Sequence, residues 1–418
     1  MRAAALLIDS APSSGRRPLT LRAIADAADT PVASIYHYFP DVDSITAAVA
    51  DQYGNELFSA VEAGLSRPTE SLRGLLDTIF TIYREFFAAR PGLRELWFDR
   101  RASDKVVGIH RDFRANLAKL LHARMLEFTT KSHDILAYQI WIEITGVLWE
   151  LAFQHDPGGD PRVVTEIREV SDRFLRRRLG VTLSSPDGED RKNPEPDSSR
   201  VNRSTSAAQT EGPAPHAWES RLPPQARGRK NRAQILSAAT EIIDSQGPHG
   251  PDLSARAIAE AAGTSPASMY RYFKDLDSLI AAVAAEYMHD LLALLDQVEA
   301  GSEGLDYSEL NRRTMVAYRD FFARRRGLRE LWFDRRASEK VQEVHAHYRR
   351  VLAEHNYDAM SRYASLPGDL FSQILNIEVT GALWDLAFTL DPKGHPYVVG
   401  EIEELNIDFV QRFCEGKS

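Results

Sequence analysis

The feature that most constrains this chain is that it is written twice. The run GLRELWFDRRAS occupies residues 92–103 and returns at 327–338, an offset of 235. Extended outward, residues 83–106 and 318–341 agree at 20 of 24 positions. ITGVLWELAFQHDP (144–157) pairs with VTGALWDLAFTLDP (379–392) at the same offset, and RAIADAADT (22–30) pairs with RAIAEAAGT (256–264) at offset 234. Colinear blocks of this kind define one duplicated unit of about 180–190 residues, with one short indel between the blocks. A solenoid of short repeats is excluded, and the 418 residues become one fold solved twice.

Between the copies runs Val181–Ala226, a 46-residue stretch holding seven of the 21 prolines and no Ile, Phe, Tyr or Met. It cannot bury enough apolar surface to offset its ordering entropy, which predicts a flexible linker. A coil of that length spans about 37 Å, enough for the copies to dock side by side. Trp218 is its one large apolar residue, readable as a transient contact or as a docking anchor.

Charge and cysteine content then exclude whole classes. The net charge is −9 and the pI about 5.8, so a uniformly basic coat is ruled out and any nucleic-acid site must be a local patch. A single cysteine, Cys414, excludes a disulfide framework and any Cys-cluster metal site. No apolar stretch approaches 18 residues, so no membrane span is expected, and the first apolar stretch soon meets Asp9, unlike a signal peptide. The expectation is a cytoplasmic protein.

Periodicity reads helical nearly throughout. Val106, Ile109, Phe113, Leu117, Leu120 and Leu121 step by threes and fours, and Ile135, Tyr138, Trp141, Ile144, Leu148 and Leu151 do the same. Stops stand at Arg90-Pro91-Gly92, Asp156-Pro157-Gly158-Gly159 and Leu366-Pro367-Gly368. The fold class is therefore all-α, with eight or nine helices in each copy.

The front of each copy is the most informative segment. In DLSARAIAEAAGTSPASMYRYF (252–273), Ser254 can cap one helix and Gly263 can supply a left-handed turn. Ser265 can cap a second helix, with Pro266 at its first position. That is helix-turn-helix grammar, in which the second helix enters the major groove by its N-terminal end. Pro266, Ala267 and Ser268 are small enough for close approach to base edges. Tyr270, Arg271, Tyr272 and Lys274 place hydroxyls and cations for phosphates. The plainer reading is a helical hairpin with a Tyr/Phe packing face.

At these residues the sequence resembles the TetR family of bacterial transcriptional regulators. Ser254-Ala255-Arg256-Ala257-Ile258-Ala259, Ala262-Gly263 and Tyr270-Arg271-Tyr272-Phe273 carry the resemblance in the second copy. Thr20-Leu21-Arg22-Ala23-Ile24-Ala25 and Tyr36-His37-Tyr38-Phe39 carry it in the first. The resemblance implies two tandem TetR-like units, each a three-helix DNA reader followed by a helical core for ligand and pairing. The implied boundaries are 1–50 and 51–180 for the first copy, 181–226 for the linker, and 227–283 and 284–418 for the second. Arg22 and Arg256 match a position that reaches bases, and Tyr36, Tyr38, Tyr270 and Tyr272 match phosphate-binding positions. Ser34 and His37 stand in the first copy where Ser268 and Arg271 stand in the second.

There are departures from the family pattern. Val42 and Leu276 occupy the place of a family phosphate-anchoring lysine. In the second copy Lys274 can compensate, but in the first Pro40 cannot. Asp29 replaces the turn glycine, and Pro31 stands where Ser265 would cap. Residues 1–50 hold four Arg against five Asp, net −1, whereas 227–283 hold seven Arg/Lys against six Asp/Glu, net +1. The cluster ARGRKNR (226–232), with Arg229 and Lys230, is placed just before the first helix of the second copy and suits phosphates or the minor groove. Met1 aligns near Leu236, so about nine residues of the repeat have no counterpart. Either the first copy is a weaker reader or the true start lies upstream. A weaker first reader implies an asymmetric operator.

The resemblance further implies pairing through the last two helices, here 134–155 with 161–178 and 368–389 with 396–413. A fused duplicate can satisfy that pairing within one chain, giving an intrachain pseudo-dimer, with a true dimer of chains as the alternative. Thr145-Gly146 and Thr380-Gly381 would permit close helix approach. An effector pocket is expected in each core, from Trp97, Phe98, Trp141, Trp149 and Phe153 in the first, and from Trp332, Phe333, Trp384 and Phe388 in the second. Aromatic stripes at this spacing are also what a plain core contains. Arg100-Arg101 and Arg335-Arg336 read as an anion site or a solvated face, and Glu143 and Glu378 as ligand contacts or solvent-facing groups. The helix expected over Gly92–Ser103 is placed by the resemblance near the reader–core junction, where it can transmit ligand binding.

No phosphate loop, nucleophile elbow or HExxH motif is present, so an enzyme is not expected. No cofactor or metal is expected either, since His345-x-His347 faces only His110 and Asp112 in the first copy. The partners expected are double-stranded operator DNA and an unidentified small-molecule effector. The resulting expectation is a ligand-responsive regulator, by family default a repressor. Its rival is a helical ligand-binding or scaffold protein that has lost DNA binding.

Overall fold

Capping side chains and proline stops divide the apolar stripes into two matching sets of helices in a computed structural model. It describes residues 2–10, 19–69, 71–99, 102–129, 134–179, 225–334, 336–363 and 370–414. The linker up to residue 224 with Trp218, the Arg100-Arg101 pair, Arg335 and the Leu366-Pro367-Gly368 stop lie outside the described residues. The first half contains α1 (Arg2–Ser10), α2 (Leu21–Ala27), α3 (Val32–Tyr38), α4 (Val42–Leu65), α5 (Leu72–Ala88), α6 (Pro91–Trp97), α7 (Asp104–Met125), α8 (Ile135–His155) and α9 (Pro161–Leu179). The second contains α10 (Ala226–Gln246), α11 (Ala255–Ala261), α12 (Pro266–Met269), α13 (Leu276–Ala300), α14 (Tyr307–Arg324), α15 (Arg326–Phe333), α16 (Glu339–Met360), α17 (Leu370–Leu390) and α18 (Pro396–Cys414). No strand forms among the described residues, in agreement with the all-α expectation.

Asp41, Ser71, Ser103, Asp275 and Asp306 each accept a backbone N–H two or three residues into the helix that follows. Pro91 opens α6 at a first-turn position, where its missing N–H has no partner to lose. The helix expected over Gly92–Ser103 is shorter than its sequence block. It ends at Trp97 because the chain must turn for Ser103 to cap α7 through Val106 N–H. The cluster ARGRKNR also differs from expectation: it forms the first two turns of α10 and does not precede the helix.

Helix α4 runs unbroken past residue 50, and α13 past residue 283, so reader and core share one rigid rod in each half. Within each half α4 packs on α7 and α13 on α16, while α8 packs on both α9 and α17. The α8–α17 contact joins the halves. Around it, Arg177 of α9 donates to Glu401 at 2.9 Å and to Asp408, and Arg178 also pairs with Glu401. Glu401 is fully buried, so its charge is tolerated only because these guanidiniums face it. Burial pushes the Asp408 carboxyl up, against the pull of Arg177 and Arg173. Arg162 lies 4.4 Å over the Phe371 ring, and Arg336 reaches Asp104 at 2.6 Å.

Two further expectations change. Ile135–Gln154 and Leu276–Ala300 are long and apolar enough to cross a membrane, contrary to the sequence reading. Both are core helices, 67% and 56% buried within the fold. The Thr-Gly pairs do not mark a close helix approach. A Cβ on Gly146 or Gly381 would meet nothing within 4 Å, and the threonine hydroxyls bond back to Trp141 O at 2.9 Å and Asn376 O at 2.8 Å.

Candidate nucleic-acid interface and effector cavity

In the second half the expected helix-turn-helix forms as the sequence requires. Ser254 Oγ accepts Ala257 N–H and caps α11. Gly263 turns the chain with φ 64°, a conformation that costs an L residue energy. Ser265 Oγ accepts Ser268 N–H and caps α12, with Pro266 in the first turn. Ile258, Met269 and Phe273 are buried beneath, which fixes the opposite face outward. Arg256, Ser265, Pro266, Ala267, Tyr270, Arg271 and Lys274 are exposed there, with Ser268 and Tyr272 half-buried. Arg271 donates to Ser268 Oγ at 3.0 Å and lies over Tyr272, so its guanidinium is held at the recognition helix. Of the basic cluster, Arg227, Arg229 and Lys230 are exposed. Arg232 instead packs 5.3 Å over Phe273 and approaches Glu286 at 3.8 Å, and burial lowers its pKa.

The first half builds the same motif from poorer parts. Thr20 caps α2 through Ala23 N–H, but α3 has Pro31 at its cap and no side-chain bond there. Asp29 takes the turn at φ 47°, the one non-glycine with positive φ among the described residues. Arg22, Ser34, Tyr36, His37 and Tyr38 are exposed, Tyr36 at 56% and Tyr38 at 76%.

Each reader is bolted to its core twice. Asp244, in the last turn of α10, accepts Gly327 N–H at 3.2 Å and pairs with Arg325 at 3.1 Å. A Cβ on Gly327 would fall 1.8 Å from Ile243 O, so only glycine lets α15 approach α10 this closely. Asp9 repeats the bolt in the first half, accepting Leu93 N–H at 3.0 Å and Tyr53 O–H at 2.7 Å, with Gly92 the same 1.8 Å from Ile8 O. The second bolt is Lys340 of α16, which donates to Asp275 Oδ1 at 2.7 Å and Ser278 Oγ at 2.8 Å at the start of α13. These bonds hold the Asp275 carboxyl down to about 2. Lys105 makes the matching bonds to Asp41 and Ser44. Both lysines escaped the sequence reading, although their recurrence at one offset was available as a signal.

Behind the second junction lies a cavity of about 110 Å³. Trp332, Phe333 and Trp384 line it, together with Tyr318 and Phe322; Phe388 does not line it and packs on Trp384 and Phe322. Val147 and Glu150 of α8 complete the wall from the other half. Glu378 and Glu143 are half-buried and paired: Arg349 binds Glu378 at 2.8 Å, as Arg114 binds Glu143 at 2.6 Å. In the first half the expected pocket residues Trp141, Trp149 and Phe153 are buried in a stacked aromatic core, and Trp97 and Phe98 pack against Phe87. His345 is buried on Trp332, and no metal-binding cluster occurs among the described residues. His249, in the loop after α10, lies 3.0 Å from Asp334, which lines the cavity.

A helical protein with a capped helix-turn-helix bolted to a cavity-bearing core has the build of a DNA-binding regulator. Comparison with known families agrees. Residues 235–283 match the model described as bacterial regulatory proteins, tetR family, and residues 70–179 match the tetracyclin repressor-like C-terminal domain. Each match covers less than half of the chain, so it is these two segments that are similar to the TetR family. None of the curated proteins matches it. Among solved structures, a TetR-family transcriptional regulator from Streptomyces coelicolor is 24% identical, with 43% of this chain and 100% of that one covered and a TM-score of 0.35.

Proposed function

We propose that this chain is a ligand-responsive repressor that reads an operator through two unequal helix-turn-helix readers and is released by a small molecule. The observation that carries the reading is α15. Its first turn is held by Asp244 of the reader, and its last residues, Trp332 and Phe333, line the cavity. A ligand that favours a different α15 position therefore favours a different reader position. It weakens operator binding by its differential affinity for the two arrangements, and no further.

In this reading 1–50 and 227–283 are the readers, 51–180 and 284–418 the cores, and 181–226 the tether. The α8–α17 contact and the Arg177–Glu401 bond support an intrachain pseudo-dimer that holds the readers about one DNA turn apart, ~34–36 Å. Arg256, Ser268, Arg271 and the small residues at Pro266 and Ala267 face bases. Tyr270, Tyr272, Lys274, Arg229 and Lys230 face phosphates, and Arg22, Ser34, Tyr36, His37 and Tyr38 make the weaker contacts of the first reader. The protein acts in the cytoplasm, without a catalytic step or a cofactor.

The test is a mobility shift of a fragment of its own promoter across a salt series, with competitor DNA. Affinity falling steeply with salt and surviving competitor supports the proposal, because phosphate contacts release counterions. A flat response contradicts it. The uncapped α3 and the acidic first reader favour the rival, a helical ligand-binding scaffold, for the first half alone.

A further inference from the structure

The duplication permits each cavity wall to be read against its own copy. At the wall residues Met315, Asn406 and Asn356 the first half has Phe80, Ser171 and Leu121, and at Asn376, which bonds Asn406 behind the wall, it has Trp141. Trp141 is 2% exposed, donates its indole N–H to Ser171 Oγ at 2.9 Å, and meets the edge of Phe80 at 6.5 Å. The indole therefore fills the first core. In the second, the short Asn376 instead bonds Asn406 at 3.0 Å, Asn406 bonds Asn311 at 3.3 Å, and Met315 lines open space. The space behind Trp384 that is open in the second half is occupied at the matching place in the first by Trp141 and Phe80.

The wall of the hollow half has a definite chemistry. Among the described residues lining it are five Phe, Tyr and Trp rings, His345, and four carboxylates, Glu150, Asp334, Glu378 and Asp385, with Arg349 on Glu378 and His249 on Asp334. Carboxylates beside aromatic faces stabilise a desolvated cation, through charge and through the ring quadrupole. The volume suits a ligand near the size of benzene, since an apolar cavity of about 150 Å³ accepts that molecule. One of the carboxylates, Glu150, comes from α8 of the first half, so the site is incomplete without the first copy.

We propose that the chain has one effector site, in the second half with a wall from the first, and that it takes a small organic cation with a flat apolar body, an aromatic ammonium. The proposal rests on the repressor reading for the word effector alone. The first half is then a filled wall and not a second sensor.

The experiment is calorimetric titration of the full chain, without DNA, with benzylammonium, benzyl alcohol and benzoate. Binding is read directly, so loss of DNA binding would overturn the repressor reading and leave this result standing. One benzylammonium per chain is expected, with benzyl alcohol and benzoate at least tenfold weaker. Met315→Phe with Asn376→Trp, which installs the residues of the first half, should weaken binding at least tenfold. Phe80→Leu, in the filled half, should leave it unchanged. If the double variant fails to fold, Glu150→Gln decides, since it lies on α8 and should cost benzylammonium several-fold while sparing benzyl alcohol. Two cations per chain, no detectable benzylammonium binding, benzoate binding equally well, or equal loss of the alcohol in Glu150→Gln would each overturn the proposal.

Discussion

The two halves of this molecule share a frame and differ in what the frame carries. Gly92 and Gly327, Lys105 and Lys340, Arg114–Glu143 and Arg349–Glu378 recur with matching partners, and Asp9 and Asp244 each accept a backbone N–H in the first turn of the facing helix. Every one of these pairs places one helix against another. The differences fall at the outer face of the helix-turn-helix, where Ser265 corresponds to Pro31 and Arg271 to His37, and at the cavity, where Met315 corresponds to Phe80. The divergence spares the joints and alters the surfaces, so the two halves keep one geometry. Second-reader residues and the second cavity are linked by α15, so the hollow core sits behind the better reader.

The joint at Gly327 offers the largest effect by which to break this comparison. Gly327→Val sets a side chain against Ile243 O and should cost about 1–3 kcal/mol, or more if α15 detaches. Gly92→Val should cost a similar amount, because Ile8 O lies equally close. Gly381→Ala is the control: it meets nothing within 4 Å and should stabilise α17 by about 0.5–1 kcal/mol. Thermal unfolding checks all three, and unequal losses at the two joints would mean that the frame is not shared.

A smaller effect is expected at the lysine bolts. The Asp275 carboxyl is held down to about 2 from an ordinary 3.8. A depressed carboxylate contributes stability that is complete above its unfolded value and is lost as pH falls through the folded one, here between about pH 4 and 2. Lys340→Met should raise that titration and make the acid loss of stability shallower in this window. Lys105→Met should act in the same direction on Asp41, which the same kind of bonds hold down. Carboxyl NMR titration reads both directly. An unmoved Asp275 in Lys340→Met would remove the bolt from the account.

The smallest effect is at the turn of the first reader. Asp29 holds φ 47°, so Asp29→Gly should stabilise this half by about 0.5–1 kcal/mol. A loss of stability on denaturant unfolding would show that Asp29 is held there by something worth more than its strain.

How much of this could be read from the sequence follows from distance along the chain. The caps at Ser254 and Ser265, the turn at Gly263 and the helical stripes are local, and periodicity and side-chain chemistry state them. The end of α6 at Trp97 was missed because Ser103 competes for the following helix, a preference no stripe displays. ARGRKNR was read as an arm because its charge hides that it continues α10. Arg114–Glu143, Lys340–Asp275 and the cavity join residues 29, 65 and more positions apart. Such pairs need the packed fold, although here the internal repeat records the ion pairs as residues that recur together. Trp141 reads in the sequence as one more member of an apolar stripe; only packing shows that its indole fills the core and bonds Ser171 where the second half has Asn376 on Asn406.

Footprinting of the operator with Arg271→Ala and His37→Ala, at fixed salt, tests the inequality of the halves most directly. Arg271→Ala should cost about 1–3 kcal/mol and erase protection over one half-site, while His37→Ala leaves the footprint nearly whole. Equal losses from the two changes would contradict the account.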